Sequence, residues 1–145
     1  MPILGAVLGL LTVTSNAALP TDALQNLFPT YERLSHALNQ DDLIGAQKIA
    51  QQLEIEGKAA NNKTLAAHAA DLQQRDSLFE ARLEFKAISM VFIELIKGKS
   101  GYHIFRCEMP PPGCLMKNYD WVQSDTTITN PYLGQAMPGC GVMKE

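Results

Sequence analysis

The feature that most constrains the fold is a series of apolar residues at helical spacing, which extends from about residue 21 to residue 97 and then stops. Within it, apolar side chains recur every three or four residues, the period of one face of an amphipathic α-helix. Four such stripes begin near Leu24, Leu43, Leu65 and Leu78. Pro29 falls in the first stripe, where it either kinks the helix or lies in the first turn of its regular part.

Local signals set the predicted helix ends. Asp41 is a suitable N-cap for the second helix, which stops near Gly57. Ser77 and Glu80 have the spacing of a capping box and begin the fourth helix, which ends at Gly98. Because short connections favour antiparallel neighbours, the sequence predicts an all-α fold, an antiparallel (up-down) four-helix bundle.

The sequence changes in character after residue 101. Proline and glycine recur at 110–113, 130–131 and 138–139, and they break both helices and sheets. We therefore expect an irregular C-terminal lobe, rich in Cys, Met and Pro, over about residues 101–145. It accompanies a helical body over about residues 21–98 in a single domain, residues 19–145.

The first 18 residues have the order of a secretory signal peptide. An apolar run at 3–11 is followed by the small residues Ser15 and Ala17, and the run is shorter than the about 20 residues that cross a bilayer. No Lys or Arg precedes Arg33, so a buried N-terminal strand or helix is the alternative. Export would take the cysteines to a compartment where disulfides form.

Composition and motifs exclude several functions. The net charge of −3 and the scattered basic residues give no reason to expect a nucleic-acid partner. Phosphate loops, zinc-protease signatures and G-x-S-x-G are absent from the sequence, and no motif sets His36, His68 or His103 beside a cysteine. A thiol-disulfide exchange enzyme usually carries C-x-x-C, which is also missing. We predict a protein that is not an enzyme.

Sulfur side chains gather in the lobe. Cys107 and Met109 would point to one side of an extended segment, Met137 and Cys140 would converge across one turn, and His103 lies four residues before Cys107. Thiolate and thioether sulfur favour soft ions such as Cu(I). The candidate metal ligands are therefore these four sulfur side chains, to which His103 could add an imidazole. By contrast, Met90 on the fourth helix is predicted to fill the core.

A disulfide is the alternative use of the same cysteines. Cys107 or Cys114 could pair with Cys140, and closing a loop of about 30 residues would stabilise the fold by roughly 3–4 kcal/mol. The lobe would then be a structural element that presents a surface to another protein. Both interpretations remain open at this point.

The lobe contains three further patterns, C-x-M at Cys107, W-x-Q at Trp121 and N-P-Y-x-G-x-x-M-x-x-C-G from Asn130. With these patterns the sequence resembles, over roughly residues 24–142, a bacterial family, DUF3347, whose own patterns are C-P-M, W-x-Q and N-P-Y-x-G-x-x-M-x-x-C-G. That domain of unknown function occurs alone after a signal peptide and attached to membrane-fusion subunits of heavy-metal efflux pumps. The matching residues here are Tyr31, Ala37, Leu38, Asp41, Asp42, Ala81, Arg82, Phe85, Ser89, Tyr102, Cys107, Met109, Trp121, Gln123, Asn130, Pro131, Tyr132, Leu133, Gly134, Met137, Cys140 and Gly141.

The resemblance implies a periplasmic protein with a helical body that handles a transition metal, Cu(I) or Ag(I). It implies a carrier, buffer or sensor linked to heavy-metal efflux, with a membrane-fusion subunit or another envelope protein as partner and no membrane span in the mature chain. The alternative is a non-catalytic periplasmic interaction module with a structural disulfide. The chain departs from the pattern at Glu108, where the family usually has proline, and in the additional Cys114 and the run of prolines at 110–112.

Overall fold

A computed structural model describes residues 22–109 and 119–144. The predicted signal peptide and Cys114 lie outside these described residues. The helices are α1 (Ala23–Asn39), α2 (Leu43–Ala59), α3 (Lys63–Gln73) and α4 (Leu78–Leu95). They are followed by the strands β1 (His103–Cys107) and β2 (Tyr119–Gln123), a 3-10 turn (Gly134–Ala136) and the strand β3 (Val142–Met143).

The four predicted helices are confirmed, although some of the expected boundaries move, including the end of α4, which lies at Leu95 rather than Gly98. α2 begins after Asp42, whose carboxylate accepts a hydrogen bond from the Gly45 amide at 2.8 Å, so Asp42 rather than Asp41 is the cap. α2 also continues past Gly57, where a Cβ atom would lie only 3.2 Å from the Ala66 backbone nitrogen of α3. Gly57 therefore permits a close helix contact instead of ending a helix.

Each helix packs against the next one in the chain, and α1 also packs against α4. At one end of the α1–α4 contact, the Leu38 carbonyl accepts a hydrogen bond from Arg82. At the other end, the Asp22 carboxylate pairs with Lys99, just after α4, and Tyr31 lies between these two ends. The Tyr31 ring stacks against two rings of α4, with centroid distances of 5.3 Å to Phe85 and 4.1 Å to Phe92. An aromatic core therefore joins the first and last helices.

The all-α prediction is wrong, because the C-terminal lobe contains a three-stranded antiparallel sheet in the order β2-β1-β3. Phe105 of β1 pairs with Trp121 of β2 and with Met143 of β3. The lobe is thus less irregular than predicted. The proline and glycine residues at 130–131 and 138–139 lie between the strands, and the strands themselves are only five, five and two residues long.

Tyr31 also connects the helices to this sheet. Its buried hydroxyl is hydrogen-bonded to Ser89 of α4 at 2.9 Å and accepts from the backbone amide of Val122 in β2 at 3.0 Å. Burial raises the pKa of Tyr31 well above its ordinary value, so the hydroxyl stays neutral and remains a donor as well as an acceptor.

We expect Tyr31→Phe to lower the free energy of unfolding by about 1–3 kcal/mol, because the buried amide of Val122 loses its partner. Urea denaturation would measure this loss. Tyr102→Phe is the matched control, since the Tyr102 ring is half-buried and its hydroxyl has no hydrogen bond within the described residues. Equal stability of the two variants would contradict the role given to Tyr31.

Candidate functional site

The two described cysteines come from separate segments of the lobe. Cys107 is the last residue of β1, lies opposite Tyr119 and is fully buried. Cys140 lies in the loop before β3 and is half-buried. Both are free thiols, and the Cys107 thiol donates a hydrogen bond to the Met109 carbonyl at 2.7 Å. The two sulfurs are near enough to influence each other electrostatically.

Asn130 lies between the two cysteines and contacts both. Its side chain lies near enough to the Cys107 thiol to affect that thiol's pKa, and its Nδ2 donates to the Cys140 carbonyl at 2.6 Å. The other end of the same amide, Oδ1, accepts from the backbone amides of Tyr132 at 2.8 Å and Leu133 at 3.0 Å. One buried side chain therefore shapes the 130–133 turn and holds both cysteine segments against it.

The environment of Cys107 opposes ionisation. Burial raises the pKa of the Cys107 thiol, and the nearby Cys140 acts in the same direction, while the polar groups of Asn130 and Met109 beside the sulfur partly offset them. The thiol is therefore protonated at neutral pH. A metal ion would have to displace this proton, and a nucleophilic role for Cys107 is disfavoured.

The two lobe methionines that lie close to the cysteines in sequence, Met109 and Met137, are partly exposed to solvent. Met109 follows Cys107 and is 52% exposed, and Met137 begins the turn that leads to Cys140 and is 39% exposed. Neither thioether is needed to fill the core. The prediction for Met90 is wrong, because its side chain is 61% exposed on the face of α4 opposite the buried Ile88 and Phe92.

The structure does not bring His103 to the cysteines. His103 begins β1 opposite Gln123, and Cys107 ends the same strand. Four residues of extended chain separate them by about 13 Å, well beyond the separation of two ligands of one ion. Sequence proximity within a strand is therefore the wrong guide here, since His103 and Cys107 share a face of the sheet but lie at its opposite ends.

The residues that carry the N-P-Y-x-G resemblance have a structural use. The Pro131 carbonyl accepts from Arg82 of α4 at 2.8 Å, and the Tyr132 hydroxyl donates to the Asp120 carbonyl at 2.6 Å. Gly134 has a φ of 58°, and a Cβ there would collide with the side chains of Asp41 and Arg82. This motif therefore attaches the lobe to the ends of α1 and α4.

Tryptophan and glutamine of the W-x-Q pattern stabilise the adjacent loop. The indole of Trp121 donates to Gln123 Oε1 at 2.7 Å, which also accepts from the Thr129 amide at 3.0 Å. Gln123 Nε2 in turn donates to the Thr127 carbonyl at 2.7 Å. A Cβ at Gly141 would lie 2.7 Å from the Trp121 ring, so only glycine fits beside it.

Asn39 is an important residue that the sequence interpretation missed. It is buried at the end of α1, and its Nδ2 donates to the carbonyls of Asn130 at 2.9 Å and Pro138 at 3.2 Å. Its own carbonyl accepts from Gln135 Nε2 at 2.9 Å. The only sequence signal is a polar residue next to Leu38, the last member of the apolar stripe, and that signal is weak because many helices end on asparagine.

No family model, curated protein or solved structure matches this chain significantly. Among the described residues, none of the helices is both long enough and apolar enough to cross a membrane. The chemistry of the site therefore rests on its own residues: two neighbouring thiols, one of them buried, with exposed thioethers on the adjoining turns.

We expect Asn130→Ala to lower the free energy of unfolding by at least about 2 kcal/mol, because three backbone groups, of Tyr132, Leu133 and Cys140, lose a partner at once. Thermal and urea unfolding would measure the loss. Asn26→Ala, at an exposed position of α1, is the control and should change stability by less than about 0.5 kcal/mol. Comparable losses in both variants would show that Asn130 does not hold the lobe.

Proposed function

We propose that the protein is an exported, non-catalytic binding protein for a soft metal ion, Cu(I) or Ag(I), with Cys107 and Cys140 as its thiolate ligands. Met109 and Met137 would add thioether donors, and His103 is left out of the ligand set. The observation that supports this best is the meeting of two thiols from distant segments around Asn130, beside methionines that the core does not use.

The donor types agree with such an ion. Thiolate and thioether ligands select Cu(I) over hard cations such as magnesium or calcium. The exposed Met109 and Met137 can change conformation without opening a cavity in the core, since more than a third of each side chain already faces solvent. The buried Cys107 would supply an anchored ligand, and the flanking side chains would complete the shell after the ion enters.

Localisation and partners are part of the same proposal. The leader-like order of residues 1–18 and the resemblance to DUF3347 support residence in the periplasm. The resemblance also supports a role as carrier, buffer or sensor that serves a heavy-metal efflux system, with a membrane-fusion subunit or another envelope protein as partner. Mature protein from cells should begin near Ala18 or Leu19, and an intact Met1 would contradict export.

We also propose that the four helices form an antiparallel, up-down bundle. Residues at the start of α1 and the end of α2 line one cavity, including Ala23 and Ala59. The side chain of Gln47, near the start of α2, donates to the carbonyl of Arg75 just after α3, which supports the same alternation of direction. Nuclear Overhauser contacts between like ends of successive helices would contradict this arrangement.

An interaction module is the second candidate function, and the closeness of Cys107 and Cys140 favours it too. Two neighbouring thiols in an oxidising compartment can be joined as a disulfide, which would leave the lobe as a stable binding surface. Mass measurement of protein from the native compartment, prepared without reductant, separates the candidates. A mass two hydrogens low, with no Cu(I) uptake, would favour the module over the metal site.

We expect Cys107→Ser and Cys140→Ser each to weaken Cu(I) binding by about a hundredfold or more. Loss of a side chain that merely hydrogen-bonds to a metal ligand already costs about 10–100-fold in affinity, and here a ligand itself is removed. Cys114→Ser is the matched control and should bind as the unaltered chain does. Anaerobic competition against a Cu(I) chelator would give the affinities. Equal affinities for the three variants would exclude Cys107 and Cys140 as the ligands.

A companion set of variants tests the thioethers. Met109→Leu and Met137→Leu should each weaken Cu(I) binding by less than the cysteine variants, since a neutral thioether contributes less than a thiolate. Met90→Leu, at the exposed methionine of α4, is the control. If all three leucine variants bind alike, the site consists of the thiols alone.

The affinity for Cu(I) should rise with pH. Because burial raises the pKa of Cys107, the ion must displace a proton there, and each thiol proton released adds about tenfold in apparent affinity per pH unit. The increase should continue past the ordinary thiol pKa of about 8.5 and end only above the raised pKa of Cys107. A competition series corrected for protonation of the chelator would measure it, and a flat profile would contradict thiolate ligation.

A further inference from the structure

A second group of possible metal ligands lies on the helical body, outside the lobe. His68 and Asp71 are three residues apart on α3 and therefore project from the same side of that helix. Glu84 of the neighbouring helix α4 faces them. One ligand atom from each of these residues lies within 4.8 Å of the other two.

The separation of the two closest atoms suits a shared ion. His68 Nδ1 lies 3.1 Å from Glu84 Oε2. In a tetrahedral zinc site with metal–nitrogen and metal–oxygen bonds of about 2.0–2.2 Å, neighbouring ligand atoms are about 3.3–3.5 Å apart. An ion could therefore replace the present hydrogen bond between His68 and Glu84 with little movement of either helix.

The surroundings orient these ligands and leave the site accessible. Arg75 forms an ion pair with Glu84 Oε1, so the carboxylate is held with its other oxygen, Oε2, toward His68. The Glu84 side chain is 15% exposed and that of His68 34% exposed, whereas Asp71 is exposed at the rim. This combination gives two restrained ligands and one that can close on an ion from solvent.

We propose that His68, Asp71 and Glu84 form a second metal site, which takes a divalent ion such as Zn(II). One imidazole and two carboxylates are nitrogen and oxygen donors, which suit Zn(II), Ni(II) or Cu(II) and do not suit Cu(I). The site is thus separate from the thiols in both position and chemistry. It stands independently of the function proposed for the lobe.

The three histidines of the chain allow a direct test. Zn(II) would be titrated into the full chain while the imidazole resonances are followed by long-range ¹H–¹⁵N NMR, with assignments from single histidine variants. We expect the resonances of His68 to shift with saturation, while those of His36 and His103 stay in place. Resonances of His68 that do not move at a saturating Zn(II) concentration would overturn the proposal.

Affinities of variants complete the test. Asp71→Asn changes an exposed residue and should keep the fold, and His68→Ala removes the imidazole; each should weaken Zn(II) binding at this site by about tenfold or more. His36→Ala, on α1, is the matched control and should bind as the unaltered chain does.

Thiol ligation is distinguished with Co(II) as a spectroscopic probe. An ion bound by His68, Asp71 and Glu84 gives only weak d–d absorption, whereas thiolate ligands add an intense charge-transfer band. We expect one Co(II) ion to bind without that band. If all bound Co(II) shows charge transfer, or if Asp71→Asn and His68→Ala bind as tightly as the His36→Ala control, the site does not exist.

Discussion

Buried polar groups must be hydrogen-bonded, and this constraint governs how the C-terminal lobe sits on the helices. Asn39 and Asn130 are both buried, and each satisfies its amide by bonding to backbone groups of the lobe. Tyr31 does the same for the Val122 amide in β2. Moving the lobe relative to the helices would leave these buried groups without hydrogen-bond partners, which costs free energy. These few side chains therefore determine the position of the lobe on the helices.

This attachment has a consequence for the thiols. Asn130 is at once the residue that shapes the 130–133 turn and the residue that contacts both cysteine segments. Any ion bound between Cys107 and Cys140 would therefore be coupled to the junction between lobe and helices. Binding would stabilise the fold, since the two ligands are brought together only in the folded chain.

Two kinds of donor are separated within this domain. The sulfur donors proposed for Cu(I) lie in the lobe, where the strand end and the turns expose Met109 and Met137. The nitrogen and oxygen donors proposed for Zn(II) lie between α3 and α4, where Arg75 and Glu84 are held by ion pairing. Because nitrogen and oxygen donors do not suit Cu(I), the group between α3 and α4 would not compete with the lobe thiols for that ion.

The sequence by itself determined the four helices and many of their boundaries. The spacing of the apolar residues, the capping residues and the short connections are local properties, which can be read along the chain. It also indicated which segments carry the sulfur atoms. What only the tertiary structure decided is which of these atoms meet. His103 and Cys107 lie at opposite ends of β1. The strands were not predicted, because the proline and glycine residues of their connections indicated irregular structure. Contacts between residues distant in the chain bring Cys140 near Cys107 and His68 near Glu84. They also bury Asn39 beneath the lobe. No local pattern in the sequence encodes such contacts.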